Sequence, residues 1–107
     1  MTGFQRIGSA ADVPLLEGRT VTVAGRRIAV FRTQDGFHAV DAACPHRAGP
    51  LADGLVADNC VTCPLHGWRF DLRTGACADK PGVTAHEVAE RDGRILVRLA
   101  AALPRAA

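Results

Sequence analysis

The chain reads as an all-β protein, antiparallel and sandwich- or barrel-like. Three observations predict this. Turn residues recur at short intervals, and the segments between them are too short for helices. Gln34-Asp35-Gly36 and Arg91-Asp92-Gly93 carry the Asp-Gly pair that favours tight hairpins. Residues 28–31 are apolar at every position, as in a strand covered on both faces.

The elements follow in order. Ser9-Ala10-Ala11-Asp12 has the composition of one helical turn before Pro14. Thr20 to Val23 is a strand, Ala24-Gly25 a turn and Arg27 to Thr33 the returning strand, with Ile28 and Val30 on one face and Ala29 and Phe31 on the other. After the turn at Gln34 to Gly36, Phe37 to Asp41 forms the next strand. Residues 44–50 and 63–68 hold Cys, His, Pro and Gly and read as loops, with Cys60 in a strand leading into the second. Val83 to Glu90 and Arg94 to Leu99 form a hairpin. The Ala-rich tail 100–107 is too short to be helical alone. No repeat or linker divides residues 1–107, so one domain is expected.

Composition narrows the function. The formal charge is +2, from 13 basic and 11 acidic residues, and the arginines are scattered. That balance argues against nucleic acid or an anionic membrane as partner. No apolar run approaches the roughly 18 residues of a membrane span, and the N-terminal residues have no apolar signal segment. A cytoplasmic location is therefore expected. There, four cysteines are more often metal ligands or reduced thiols than disulfides.

Two clusters carry the chemistry: Cys44-Pro45-His46 and Cys63-Pro64-Leu65-His66. Each offers a thiolate and an imidazole, ligands suited to iron or zinc. Gly49 and Gly67 allow tight folding around a buried site, and Pro45 and Pro64 stiffen the loops. A tetrahedral Cys2His2 zinc site uses the same atoms. Zinc fingers usually pair Cys with Cys and His with His, whereas both knuckles here are mixed.

At these residues the chain resembles the Rieske family, whose pattern is C-x-H, a spacer and C-x-x-H. Cys44, His46, Cys63 and His66 match it one for one. The likeness extends over about residues 4 to 99. It includes Asp12-Val13-Pro14, Ile28-Ala29-Val30-Phe31, Ala39-Val40-Asp41 and Phe70-Asp71-Leu72-Arg73-Thr74-Gly75. The resemblance implies a [2Fe-2S] cluster presented by two loops at one tip of a β-domain. The two Cys hold one iron and the two His the other. Neutral imidazoles reduce the negative charge at their iron and raise the potential above that of an all-Cys cluster.

The resemblance also points to a class within the family. The high-potential class has a disulfide between its loops, and the equivalent positions here are Gly49 and Leu65. That class also has Ser and Tyr hydroxyls near the cluster, where this chain has Trp68 and Phe70. A soluble, low-potential ferredoxin is expected, passing electrons from a flavin-dependent NAD(P)H reductase to a terminal oxygenase. A role as small subunit beside a nitrite reductase large subunit is the alternative, and a zinc-stabilised interaction module a distant third. No nucleophile–base pair or nucleotide-binding loop suggests catalysis by the chain itself.

The remaining candidates have plainer expectations. Cys60 and Cys77 read as buried thiols, with a disulfide between them left open, and His38 and His86 as structural. Asp79-Lys80-Pro81-Gly82 is a turn resembling the Pro-containing loop that covers the family's cluster. Arg47 and Arg69 flank the ligands, either as solvated charges or as the border of a docking surface for an acidic partner.

Overall fold

A computed structural model describes residues 3–45, 49–65 and 67–100. Among them nine strands form two antiparallel sheets. Strands β1 (Gln5–Ser9), β2 (Gly18–Val23), β3 (Arg26–Thr33), β4 (Gly36–Asp41), β8 (Ala85–Arg91) and β9 (Arg94–Arg98) make a six-stranded sheet in the order β1-β9-β8-β4-β3-β2. Strands β5 (Leu55–Ala57), β6 (Cys60–Thr62) and β7 (Arg69–Asp71) make the smaller sheet in sequence order. The edge strands β1 and β2 touch, so the larger sheet curls nearly into a barrel. The expected all-β, barrel-like architecture is the one observed.

The hairpin turns have a local cause. Ala24-Gly25, Asp58-Asn59 and Asp92-Gly93 all take positive φ at both central residues. That geometry matches the twist of antiparallel strands. The turn at Ser9–Asp12 is a 3-10 turn over Ala10–Asp12, closed reciprocally at its start. Ser9 Oγ accepts from the Ala11 N–H at 3.3 Å, and Asp12 Oδ2 accepts from the Ser9 N–H at 3.1 Å.

The strand β3 is buried on both faces, as its sequence implies. Ile28 and Val30 pack with Ala10, Val13, Val23, Ala39, Ile95 and Val97 inside the curled sheet. Ala29 and Phe31 pack on the other side with Val40, Leu51, Val56, Val61, Phe70 and Leu72. The second core thus lies between the sheets, and Cys44 and Cys63 belong to it.

Four strands differ from expectation. The strand β1 was not foreseen because it is mostly exposed, does not alternate and bulges between Arg6 and Gly8. Of the three-residue strands β5, β6 and β7, only β6 was foreseen, through Cys60. Three residues are too few to show a two-residue period. The strand expected from Val83 begins at Ala85, although the Thr84 carbonyl just before it accepts from the Asp41 N–H at 3.0 Å. Residues 101–107 of the Ala-rich tail lie outside the described residues.

Both strand histidines have hydrogen-bond partners within the fold. The His86 side chain is fully buried. Its Nδ1 accepts from the Ala100 N–H at 3.0 Å, which leaves Nε2–H to donate to Asp41 Oδ1 at 3.0 Å. Asp41 Oδ2 also accepts from the Thr84 N–H at 3.2 Å, and Arg26 donates to the Ala100 carbonyl at 2.7 Å. Asp41→Ala leaves a buried imidazole N–H without its acceptor. The variant should lose about 1–3 kcal/mol of stability, read as a lower denaturation midpoint at unchanged slope.

His38 Nε2 lies 3.1 Å from Thr33 Oγ1. Burial, and secondarily the nearby Arg73 guanidinium, lower its pKa from the ordinary 6.5. Once the pH drops below 6.5, the unfolded chain takes up a proton that the folded chain resists. The stabilisation is therefore complete above pH 6.5 and is lost as the pH falls further. Melting temperatures between pH 7.5 and 5.5 should fall less steeply in His38→Gln than in the wild type.

Candidate metal centre

Each cysteine loop is closed at its base by the backbone. In the first, Ala43 pairs with Pro50, the Cys44 N–H donates to the Gly49 carbonyl at 2.9 Å, and the Leu51 N–H donates to the Ala42 carbonyl at 3.0 Å. In the second, between β6 and β7, the Cys63 N–H donates to the Trp68 carbonyl at 2.7 Å and the Gly67 N–H to the Cys63 carbonyl at 3.1 Å. Each cysteine therefore stands on the last rung of a small hairpin.

The two loops meet. Cys44 and Cys63 are 2% and 3% exposed and share one buried cluster. A Cβ built on Gly49 would lie 2.8 Å from Cys63 Sγ and 3.1 Å from Leu65 Cγ. Only a residue without a side chain lets the first loop approach the second loop's thiol so closely. Gly49 and Leu65, the positions expected to lack the inter-loop disulfide, are thus spatial neighbours. None of the four cysteines is disulfide-bonded, which removes the possible Cys60–Cys77 bridge. Cys77 is buried, whereas Cys60 is only half-buried on β6 opposite Asp71. His46, Arg47, Ala48 and His66 lie outside the described residues.

The surroundings are apolar, with a cation at one side. Phe70 is fully buried on β7 in the same cluster as both thiols, and the half-buried Trp68 packs against it. Beyond β7, Asp71 Oδ1 accepts from the Arg73 and Thr74 N–H groups at 2.7 and 3.2 Å, turning the chain. The Val83 N–H then donates to the Gly75 carbonyl at 2.8 Å, fastening the two ends of residues 75–83. Within that span Cys77 pairs with Lys80, whose ammonium lies 5.3 Å from the centre of the Trp68 ring. Such a contact is worth about 0.5–1 kcal/mol at an exposed position. The turn over Asp79–Gly82 therefore packs against the second cysteine loop. Arg69 pairs with Asp58 at 3.6 Å, both well exposed.

Sequence reasoning singled out both cysteines and the 79–82 turn. It missed the steric role of Gly49 and the Lys80–Trp68 contact. Glycine in a ligand loop signals the first, but nothing local signals the second, because its partners are 12 residues apart by number.

The donor chemistry fits a metal group with thiolate ligands. Two buried thiols come from two facing loops, neither is consumed by a disulfide, and Gly49 leaves a cradle against one of them. Fold and site together define a small β-protein built to hold a metal group between paired loops. The chain belongs to the Rieske [2Fe-2S] domain family, whose profile matches residues 3–97. The cofactor of that family is a [2Fe-2S] cluster, which decides between the cluster and the zinc alternative.

Relatives and solved structures agree. A cholesterol 7-desaturase from Hemicentrotus pulcherrimus is 38% identical over 81 residues, covering 74% of this chain but 17% of the desaturase. This chain thus matches about a sixth of that enzyme's length. The ferredoxin of carbazole 1,9a-dioxygenase from Nocardioides aromaticivorans IC177 is 29% identical with a TM-score of 0.82, covering 90% of this chain and 97% of that one. A structure assigned as the NADH-dependent nitrite reductase small subunit of Mycobacterium tuberculosis is 27% identical with a TM-score of 0.83, covering 92% and 96%.

Proposed function

We propose that this Rieske-type electron carrier holds its cluster with Cys44, His46, Cys63 and His66 and serves as a ferredoxin. It would accept electrons from a flavin-dependent NAD(P)H reductase and deliver them to a terminal oxygenase. The observation that carries the reading is the meeting of two buried thiols on facing loops, with Gly49 cradling Cys63. When bound, the cluster supplies reversible one-electron transfer. The chain's own residues position and shield it. The backbone rungs at Cys44 and Cys63 fix the loop bases, Phe70 excludes water beneath them, and Leu65, 50% exposed, leaves an apolar contact at the surface.

The extent of the likeness supports a carrier role rather than catalysis by the chain itself. The match to the desaturase takes in 17% of that enzyme, whereas the match to the oxygenase ferredoxin takes in 97% of that protein. The same domain fits a nitrite reductase small subunit equally well, and that remains the second reading. Among the described residues no helix is long and apolar enough to cross a membrane, and a cytoplasmic location is part of the proposal.

The test is spectroscopic, then functional. Purified protein should contain two irons and two labile sulfides, and dithionite should produce a Rieske EPR signal. A colourless protein with one zinc would overturn the assignment. Electron delivery to a Rieske oxygenase, and not to a nitrite reductase large subunit, separates the two partner readings.

The potential should be low. Trp68 and Phe70 offer no hydroxyl to the cluster sulfurs, so the reduced state has fewer hydrogen bonds to stabilise it. The midpoint should lie near the low end of the Rieske range, roughly −150 mV. Phe70→Tyr should raise it if its hydroxyl reaches a ligand sulfur, and a wild-type midpoint above about +100 mV would overturn the low-potential assignment. Protein-film voltammetry measures both.

A further inference from the structure

We propose that Lys80 is a positioning residue of the metal centre. Clasped over Trp68, its ammonium supplies a fixed positive charge that favours the reduced state. The inference rests on the cluster reading above and concerns the chain's own residues.

The observations form a short chain of contacts. Lys80 Nζ lies 5.3 Å from the centre of the Trp68 ring, the face of which attracts cations. The Trp68 carbonyl accepts the Cys63 N–H at 2.7 Å, and its side chain packs against the cluster containing Cys44 and Cys63. The backbone beneath Lys80 is anchored: its N–H donates to the Cys77 carbonyl at 3.1 Å, and Cys77 is buried in that same core. Lys80 is thus held from below by its backbone and from the side by the indole.

Among the described residues its surroundings also differ from those of Arg69 and Arg73. Arg69 has the Asp58 carboxylate beside it and Arg73 has Asp35, so each of those cations is paired with an opposite charge. Lys80 meets an aromatic face, which holds a cation without cancelling its charge. Reduction by the flavin reductase, or by dithionite in the laboratory, adds one electron and hence one negative charge. A positive charge held beside the second ligand loop stabilises that state more than the oxidised one. Lys80 is also the only lysine in the chain, so any chemical conversion of a lysine side chain occurs there.

The test compares the holoprotein with Lys80→Arg and Lys80→Gln. Lys80 is exposed, so both variants should fold and retain the wild-type EPR signal. Voltammetry should show a lower midpoint for Lys80→Gln and a wild-type midpoint for Lys80→Arg. The difference should shrink between low and high salt, as expected for a partly solvated charge. The near-ultraviolet circular dichroism of Trp68, the sole tryptophan, should change in Lys80→Gln and be preserved in Lys80→Arg. A Lys80→Gln midpoint equal to wild type at low salt overturns the proposal. Equal shifts in both variants overturn it too, because charge would then not be the cause. A wild-type protein with no reducible two-iron centre instead overturns the cluster reading on which it rests.

Discussion

Replacing Cys44 or Cys63 by serine should abolish the cluster altogether. Both thiols are buried, and they approach from opposite loops. A serine oxygen is a shorter, harder ligand than a thiolate and a poor match for the iron of a Rieske centre. Neither loop has a spare cysteine beside the lost one, since Cys60 lies on β6 and Cys77 beyond β7. The expected result is protein with little or no bound iron and no Rieske EPR signal. Ligation also organises both loops, so cluster loss should lower the melting temperature below that of the holoprotein. Cys60→Ser and Cys77→Ser should keep the wild-type spectrum, although the buried Cys77 position should lose some stability. A normal Rieske spectrum in either Cys44→Ser or Cys63→Ser would show that the ligand assignment is wrong.

Gly75→Ala should be among the most damaging substitutions outside the ligands. Gly75 has φ +79°, and a Cβ there would overlap the Val83 carbonyl oxygen, which is backbone and cannot swing away. Left-handed strain in a non-glycine residue costs about 1–3 kcal/mol, and the overlap adds to it by forcing apart the two ends of residues 75–83. Gly25→Ala provides the control. Its φ is +78°, but nothing lies within 4 Å of the added atom. It should show the conformational cost alone. Denaturation midpoints should therefore fall distinctly further for Gly75→Ala than for Gly25→Ala. Equal losses would mean that the backbone at Val83 yields freely and that the 75–83 span is not clamped.

How much of this was legible beforehand depends on the range of the interaction responsible. The hairpins at Ala24-Gly25 and Asp92-Gly93 follow from turn chemistry between neighbours, and β3 follows from an unbroken apolar run. The ligand set could be proposed from the family resemblance at Cys44, His46, Cys63 and His66, because a metal demands specific side chains at short intervals, whatever the surrounding fold. The short strands β5 and β7 could not, because their identity comes from pairing with β6 rather than from their own pattern.

The sequence by itself determined the all-β class, the main hairpins and the two cysteine-histidine loops, since each arises from residues close together in the chain. Only the tertiary structure decided that Gly49 must be small, that Gly75 faces the Val83 carbonyl, and that Lys80 rests on Trp68. The reason is physical. Those three features are contacts between segments brought together by burying Phe31, Leu51, Val61, Phe70 and Leu72 in one core between the sheets, and a collapse of that kind leaves no local pattern in the chain.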